Sequence, residues 1–205
     1  MTVDGRTRRS GDGLYALILA AGASTRFGSA KQLVRVAGRP LLHGAVPRAA
    51  EVTGNALIVV LGAGAGRLAP LLKHCPGSVV VNRDWREGVA SSIRAGVARL
   101  PATCTGAMVL LADQAAVTAD DLKRLAGAWR KQPLCIAAAV YAGDSGAPAI
   151  FPRAMFRELG ELRGDSGARA LLRRNVDRLV RVPMPSAEID IDTPEDLLAL
   201  ESAKP

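Results

Sequence analysis

Short apolar blocks recur along this chain, and between them the spacing of apolar residues changes to that of helices. "LYALILA" (14–20) is an uninterrupted apolar run and predicts a strand buried on both faces. "PLLHGAVPRAAEV" (40–52) places apolar residues three and four apart and predicts a helix bent near Pro47. "ALIVVL" (56–61) and "SVVVN" (78–82) predict strands, with a short helix near Leu68 to Lys73 between them. "GVASSIRAGVARL" (88–100) predicts a helix and "GAMVLLAD" (106–113) a strand. "TADDLKRLAGAWRKQ" (118–132) opens with Thr118 and carries Asp121 three residues later, a capping pattern that starts a helix. "CIAAAVYAG" (135–143), "APAIFP" (147–152) and "RLVRVPM" (178–184) predict strands. "DSGARALLRR" (165–174) and "TPEDLLALESA" (193–203) predict helices, the second capped by Thr193 with Pro194 in its first turn.

Strands alternating with helices imply an α/β fold with a mostly parallel sheet and right-handed crossovers. Neither repeats nor an interdomain linker interrupt the pattern, so residues 14–205 form one domain behind a polar, disordered tail, 1–13. In such sheets ligands bind beyond the carboxyl ends of the strands. The places to look for chemistry are therefore those where an apolar run stops.

Composition narrows the picture. Of 205 residues, 49% are hydrophobic but only 3% aromatic, so Val, Leu, Ile and Ala must pack the core. The net charge of +8 fits an anionic partner. Yet the 27 Lys and Arg are spread along the chain and no basic stripe interleaves with aromatics, which argues against a nucleic-acid-binding protein. Cys75, Cys104 and Cys135 have neither a metal spacing nor a disulfide pattern, and His43 and His74 stand alone. A reduced, cytoplasmic protein follows. "RTRR" before "LYALILAAGA" imitates a signal peptide, but the run is short, lies behind the polar lead and reads well as a first buried strand. No stretch is long enough to span a membrane.

Candidate chemistry gathers at three strand ends. The first strand runs into "AAGASTRFGSAK", where Gly22 and Gly28 let the backbone approach a ligand. Successive N–H groups there can cradle phosphate oxygens, and Arg26 and Lys31 add a forked donor and a mobile point charge. "GAGAGR" (62–67) approximates a dinucleotide fingerprint with Asp84 downstream, but Arg67 stands where the third glycine belongs, which favours a tight strand-to-helix loop. "AMVLLAD" ends on Asp113, a carboxylate suited to Mg²⁺ beside substrate phosphates. "EIDIDTPEDL" offers Asp190 and Asp192 on one face of a strand; one or both can oppose Asp113, or Asp192 can cap the last helix.

With these residues in place the chain resembles the MobA-like nucleotidyltransferases, and within them the MocA type, which acts on the molybdenum cofactor. The most specific match is LAAGxSxRxGxxK, from Leu19 to Lys31; "KQL", "GRPLL", "NRDWREGVASSIRAG", "LLADQ", "GDSGAR" and "DIDTPEDL" add to it. The resemblance implies a three-layer, Rossmann-like nucleotidyltransferase fold. It implies Mg²⁺-dependent transfer of CMP from CTP to a phosphate of molybdenum-loaded molybdopterin, with release of pyrophosphate, and a molybdoenzyme or its chaperone as a further partner. Carried over by position, Ala20, Ala21 and Gly22 begin the nucleotide loop. Arg26 holds the β- and γ-phosphates, Lys31 lies near the α-phosphate and Ser92 meets the cytidine. Asp113 and Asp192 bind the metal. Gly164, Asp165 and Ser166, in "GDSGAR", are candidates for the acceptor side, where Gly164 and Asp165 start a helix whose N–H groups point outward. Such chemistry needs alignment and neutralised charge more than a strong base, so the lack of a strand-end histidine is no objection.

Two positions depart from the family pattern. Ala115 stands where proline often follows "LLADQ", and Gly146, Ala147 and Pro148 stand where many MocA proteins have Gly-His-Pro. The second change leaves open another phosphorylated acceptor. A nicotinamide-dependent oxidoreductase, resting on "GAGAGR", is the alternative of a different class.

Overall fold

In the computed structural model, which describes residues 13–22, 35–36, 39–165, 167–189 and 196, the run at 14–20 becomes β1 (Leu14–Ala20), near the middle of a seven-stranded sheet. β4 (Leu57–Leu61) and β6 (Gly106–Leu111) flank β1, both parallel to it, and β5 (Ser78–Val81) lies outside β4. On the other side, β8 (Asp144–Pro152) pairs antiparallel with β6 and with β7 (Ile136–Tyr141), and β9 (Leu179–Pro183) runs parallel to β7. Six strands therefore point one way and β8 alone opposes them. A separate two-stranded ribbon joins β2 (Arg35–Val36) and β3 (Arg39–Pro40).

Successive β1 side chains go to opposite faces, and both faces are covered. Leu14, Ala16 and Ile18 pack with α1 (Leu41–Thr53) and α4 (Ala119–Lys131). Leu17 and Leu19 pack with α3 (Val89–Val97), α5 (Phe156–Glu161) and α6 (Arg169–Arg174). This three-layer arrangement explains why β1 is apolar throughout rather than alternating. Each fully buried Leu or Ile of β1 stabilises the fold by about 1.5–3 kcal/mol. α1 keeps Pro47 in its interior, as expected. α4 has the anticipated box: Thr118 Oγ1 accepts from the Asp121 N–H at 3.1 Å, and Asp121 Oδ2 accepts from the Thr118 N–H at 2.9 Å.

The structure departs from expectation in three places. β8 starts at Asp144, earlier than the run "APAIFP", and is antiparallel. α5 falls between "APAIFP" and "DSGARALLRR", where no element is predicted. The segment 165–174 is helical only from Arg169, because Gly164 and Gly167 adopt left-handed φ values of 63° and 52°. Gly164 and Asp165 thus do not start a helix.

The chain leaves β1 toward β4 on one side, and leaves β6 through α4 toward β7 on the other. The connections diverge between β1 and β6, so the sheet opens a crevice at the carboxyl ends of those two strands.

Candidate functional site

β1 and β6 are joined to the edge of this crevice, where the Ala112 N–H donates to the Leu19 carbonyl at 3.0 Å. Ala20 and Ala21 are buried, so the first of the expected nucleotide residues present backbone rather than side chain; Gly22, next along, is exposed. On the β6 side, half-buried Asp113 follows two residues after the strand ends. The structure thus sets Ala20, Ala21 and Gly22 on one lip of the crevice and Asp113 on the other.

The Asp113 loop is held from three directions. Its own turn is closed by the Ala115 N–H on the Asp113 carbonyl at 2.8 Å. Arg48, from α1, donates to the carbonyls of Ala115 at 2.7 Å and Gln114 at 3.4 Å. Burial pushes the Arg48 guanidinium below its ordinary pKa, a cost these carbonyl bonds offset. Gln114, 1% exposed, donates through Nε2 to the carbonyls of Ala147 and Ala187, each at 2.9 Å. It ties the end of β6 to β8 and to the turn after β9.

At the end of β4 the glycine cluster has a packing explanation. A Cβ on Gly62 would lie 2.7 Å from the Ala21 carbonyl oxygen, 2.7 Å from Trp85 Cβ and 2.8 Å from Ala21 Cβ. Gly64 adopts a left-handed φ of 70° before α2 (Ala65–Leu68), which is only four residues long. Two of the three glycines are therefore required by the fold itself, as a tight strand-to-helix loop demands. Ala21 turns its methyl toward Gly62 and is 5% exposed.

The third cluster lies at the start of α3, which runs back from the carboxyl edge of the sheet. Asn82, just past β5, donates through Nδ2 to Ser91 Oγ at 2.7 Å and Ser92 Oγ at 3.1 Å. Ser91 donates to the Gly88 carbonyl at 2.8 Å, and Asn82 Oδ1 accepts from the Asp84 N–H at 3.0 Å. The segment Gly164–Asp165 lies against the same helix start. The Gly164 carbonyl accepts from the Ala90 N–H at 3.1 Å, and Gly88, at φ 106°, has no room for a Cβ beside Asp165 Oδ1. Gly164 and Asp165 therefore join Ser92 around the start of α3, although not for the helical reason the sequence suggests.

Arg26, Gly28, Lys31, Ser166, Asp190 and Asp192 lie outside the described residues. Among the described residues no three His, Cys, Asp or Glu side chains gather as a metal cluster. Among the described residues the site offers Asp113 to a hard cation: an oxygen donor on a pinned loop at the mouth of the crevice, suited to a metal that keeps most of its ligands from water and phosphate. No helix of the described residues is long and apolar enough to cross a membrane.

The sheet thus carries a glycine turn and an aspartate at the carboxyl ends of the two adjacent strands that flank its switch point, where α/β sheets bind ligands. The chain belongs to the MobA-like NTP transferase family, whose domain model matches residues 16–179. It is 32% identical over 196 residues to nicotine blue oxidoreductase of Paenarthrobacter nicotinovorans, covering 90% of this chain and 94% of that protein. The crystal structure of Rv0371c from Mycobacterium tuberculosis H37Rv shares 29% identity, with a TM-score of 0.77, over 93% of this chain and 99% of its own. The structure of the same protein in complex with manganese superposes with a TM-score of 0.78 and 27% identity over 93% and 99% of the two chains.

Asn82, Arg48 and Gln114 were not anticipated as parts of the site. Asn82 and Gln114 do sit in readable places, immediately after an apolar run and immediately after Asp113. Arg48 gives no local signal, since its partners are 66 and 67 residues away.

Proposed function

We propose that this protein transfers CMP from CTP to a phosphate of molybdenum-loaded molybdopterin, with Mg²⁺, releasing pyrophosphate. The observation that carries the nucleotide site is the juxtaposition of the Ala20–Gly22 turn and Asp113 at the carboxyl ends of adjacent strands. The choice of CTP and of the acceptor rests on the sequence resemblance and on Ser92 at the start of α3.

In this reaction an oxygen of the acceptor phosphate attacks the α-phosphorus of CTP. The bond from that phosphorus to the β-phosphate bridging oxygen breaks, and pyrophosphate leaves with the electron pair. The acceptor oxygen is already anionic, so no protein base is required. Mg²⁺, when bound, neutralises charge on the triphosphate. Asp113 would supply a carboxylate to hold it, with Asp192 as the second by position in "DIDTPEDL". The backbone from Ala20 to Gly22 lies along the nucleotide. Arg26 binds the β- and γ-phosphates, and Lys31 stabilises charge growing at the α-phosphate. Gly164, Asp165 and Ser166 are assigned to the acceptor by their position in "GDSGAR" alone. The manganese bound by the Mycobacterium tuberculosis relative supports a divalent cation here.

A second reading has its own support. The near full-length similarity to nicotine blue oxidoreductase favours a redox reaction on the same fold. Thermal unfolding with CTP, GTP and NADPH, each with and without Mg²⁺, separates the two. Stabilisation by CTP that depends on metal is expected. Stabilisation by NADPH alone overturns the proposal in favour of the oxidoreductase.

A further inference from the structure

The polar network at the start of α3 fixes the direction of every hydrogen bond it contains. A backbone N–H can only donate, so the atom of the Asn82 amide that meets the Asp84 N–H is its oxygen, and the amide nitrogen faces the serines. Both Nδ2 hydrogens are then used, one on Ser91 and one on Ser92. Ser91 passes its own proton to the Gly88 carbonyl and is satisfied. Ser92 accepts from Asn82, and among the described residues its proton meets no acceptor. All three side chains are buried, Asn82 at 5% exposure and the two serines at 3%. A buried hydroxyl held as acceptor on one side, with its hydrogen unused, calls for a partner that accepts.

Resting on the nucleotide site described above, we propose that Asn82 is a positioning residue that locks the Ser92 hydroxyl as a donor toward the nucleobase. Ser92 then selects the ligand by an acceptor atom, a carbonyl oxygen or unprotonated ring nitrogen of a pyrimidine. Asn82 does not touch the base; it determines which way the hydroxyl that does so can point. Without Asn82 the hydroxyl turns freely. With a carboxylate at position 82, Ser92 donates inward and presents a lone pair to the base, opposing another acceptor.

The test is a double-mutant cycle on the equilibrium dissociation constant for CTP with Mg²⁺, measured by calorimetry on the wild type, Asn82→Asp, Ser92→Ala and the double variant. Asn82→Asp is expected to weaken CTP roughly tenfold or more in the presence of Ser92, and about twofold or less once Ser92 is alanine. Repulsion between the new carboxylate and the triphosphate is present in both backgrounds and cancels in the cycle. An equal loss in both backgrounds overturns the inference. Ser92→Ala and Ser92→Thr give an independent arm should Asn82→Asp fail to fold. Alanine is expected to lose roughly tenfold in CTP affinity and threonine, which keeps the hydroxyl, to retain it; alanine binding as tightly as wild type overturns the inference. A wild type that binds no CTP removes the nucleotide site itself, and the inference with it.

Discussion

Replacing Gly62 by alanine separates two roles for the glycine cluster after β4. The new methyl has nowhere to go: three atoms lie between 2.7 and 2.8 Å from its position, two of them on Ala21 at the end of β1. One is a backbone oxygen already accepting from the Ala63 N–H at 3.0 Å, so it cannot swing aside without losing that bond. Overpacking of this kind costs about 1–3 kcal/mol. For a chain of this length each kcal/mol lowers Tm by roughly 2–4 °C, so a fall of about 4–8 °C is expected at the middle of that range. Differential scanning calorimetry without ligand measures it. Adding Ala21→Gly removes one of the three contacts and should recover part of the loss, although Ala21→Gly alone deletes a buried methyl and destabilises by about 1 kcal/mol. A glycine kept for close approach to a dinucleotide would behave in the opposite way, tolerating alanine in the free protein and losing the ligand. A Gly62→Ala variant with unchanged Tm and abolished NADPH binding would refute the packing explanation.

Asp113→Asn should fold with nearly the wild-type Tm, since Arg48 holds its loop through backbone carbonyls, yet lose most Mg²⁺-dependent turnover; near-normal activity at limiting Mg²⁺ would remove Asp113 from the metal site. Asp121 gives a pH dependence: burial pushes its pKa up, but hydrogen bonds from the Thr118 N–H, Arg124, Ser186 and the Thr118 hydroxyl together bring it down to about 2. A depressed carboxylate stabilises above its unfolded pKa and loses that contribution as pH falls through its folded one, so about 1–2 kcal/mol should disappear between pH 4 and 2, and this part of the acid titration should flatten in Asp121→Asn. Lys31→Ala should lower kcat far more than it raises KM for CTP, as expected for a charge used in the transition state; a change in KM alone would reassign the lysine to ground-state binding.

The extent to which the sequence disclosed this protein follows from the range over which each feature is encoded. β1 was legible to the residue because burial on both faces leaves no polar position to blur its ends. The start of α4 was legible because Thr118 and Asp121 cap it locally. The reversed direction of β8 was not, since a strand's apolar pattern is the same read either way, and α5 was hidden in six residues that include Gly160. The glycines after β4 illustrate the same limit within the site. Their spacing reads as a tight strand-to-helix loop, as observed, but does not say why Gly62 must lack a side chain: it answers to Ala21 and Trp85, contacts that exist only once β1 and β4 are paired. Ser92 is named by position in a motif, whereas its hydrogen bond from Asn82, ten residues earlier, can be read only from the closed network.

The most direct test of the central claim is turnover of CTP labelled at the α-phosphate, with Mg²⁺ and molybdenum-loaded molybdopterin, following both label and pyrophosphate. Transfer of labelled CMP to the acceptor with an equal amount of pyrophosphate is the predicted result. Label remaining in CTP under these conditions, while the same preparation oxidises NADPH in the presence of an electron-accepting substrate, would contradict it.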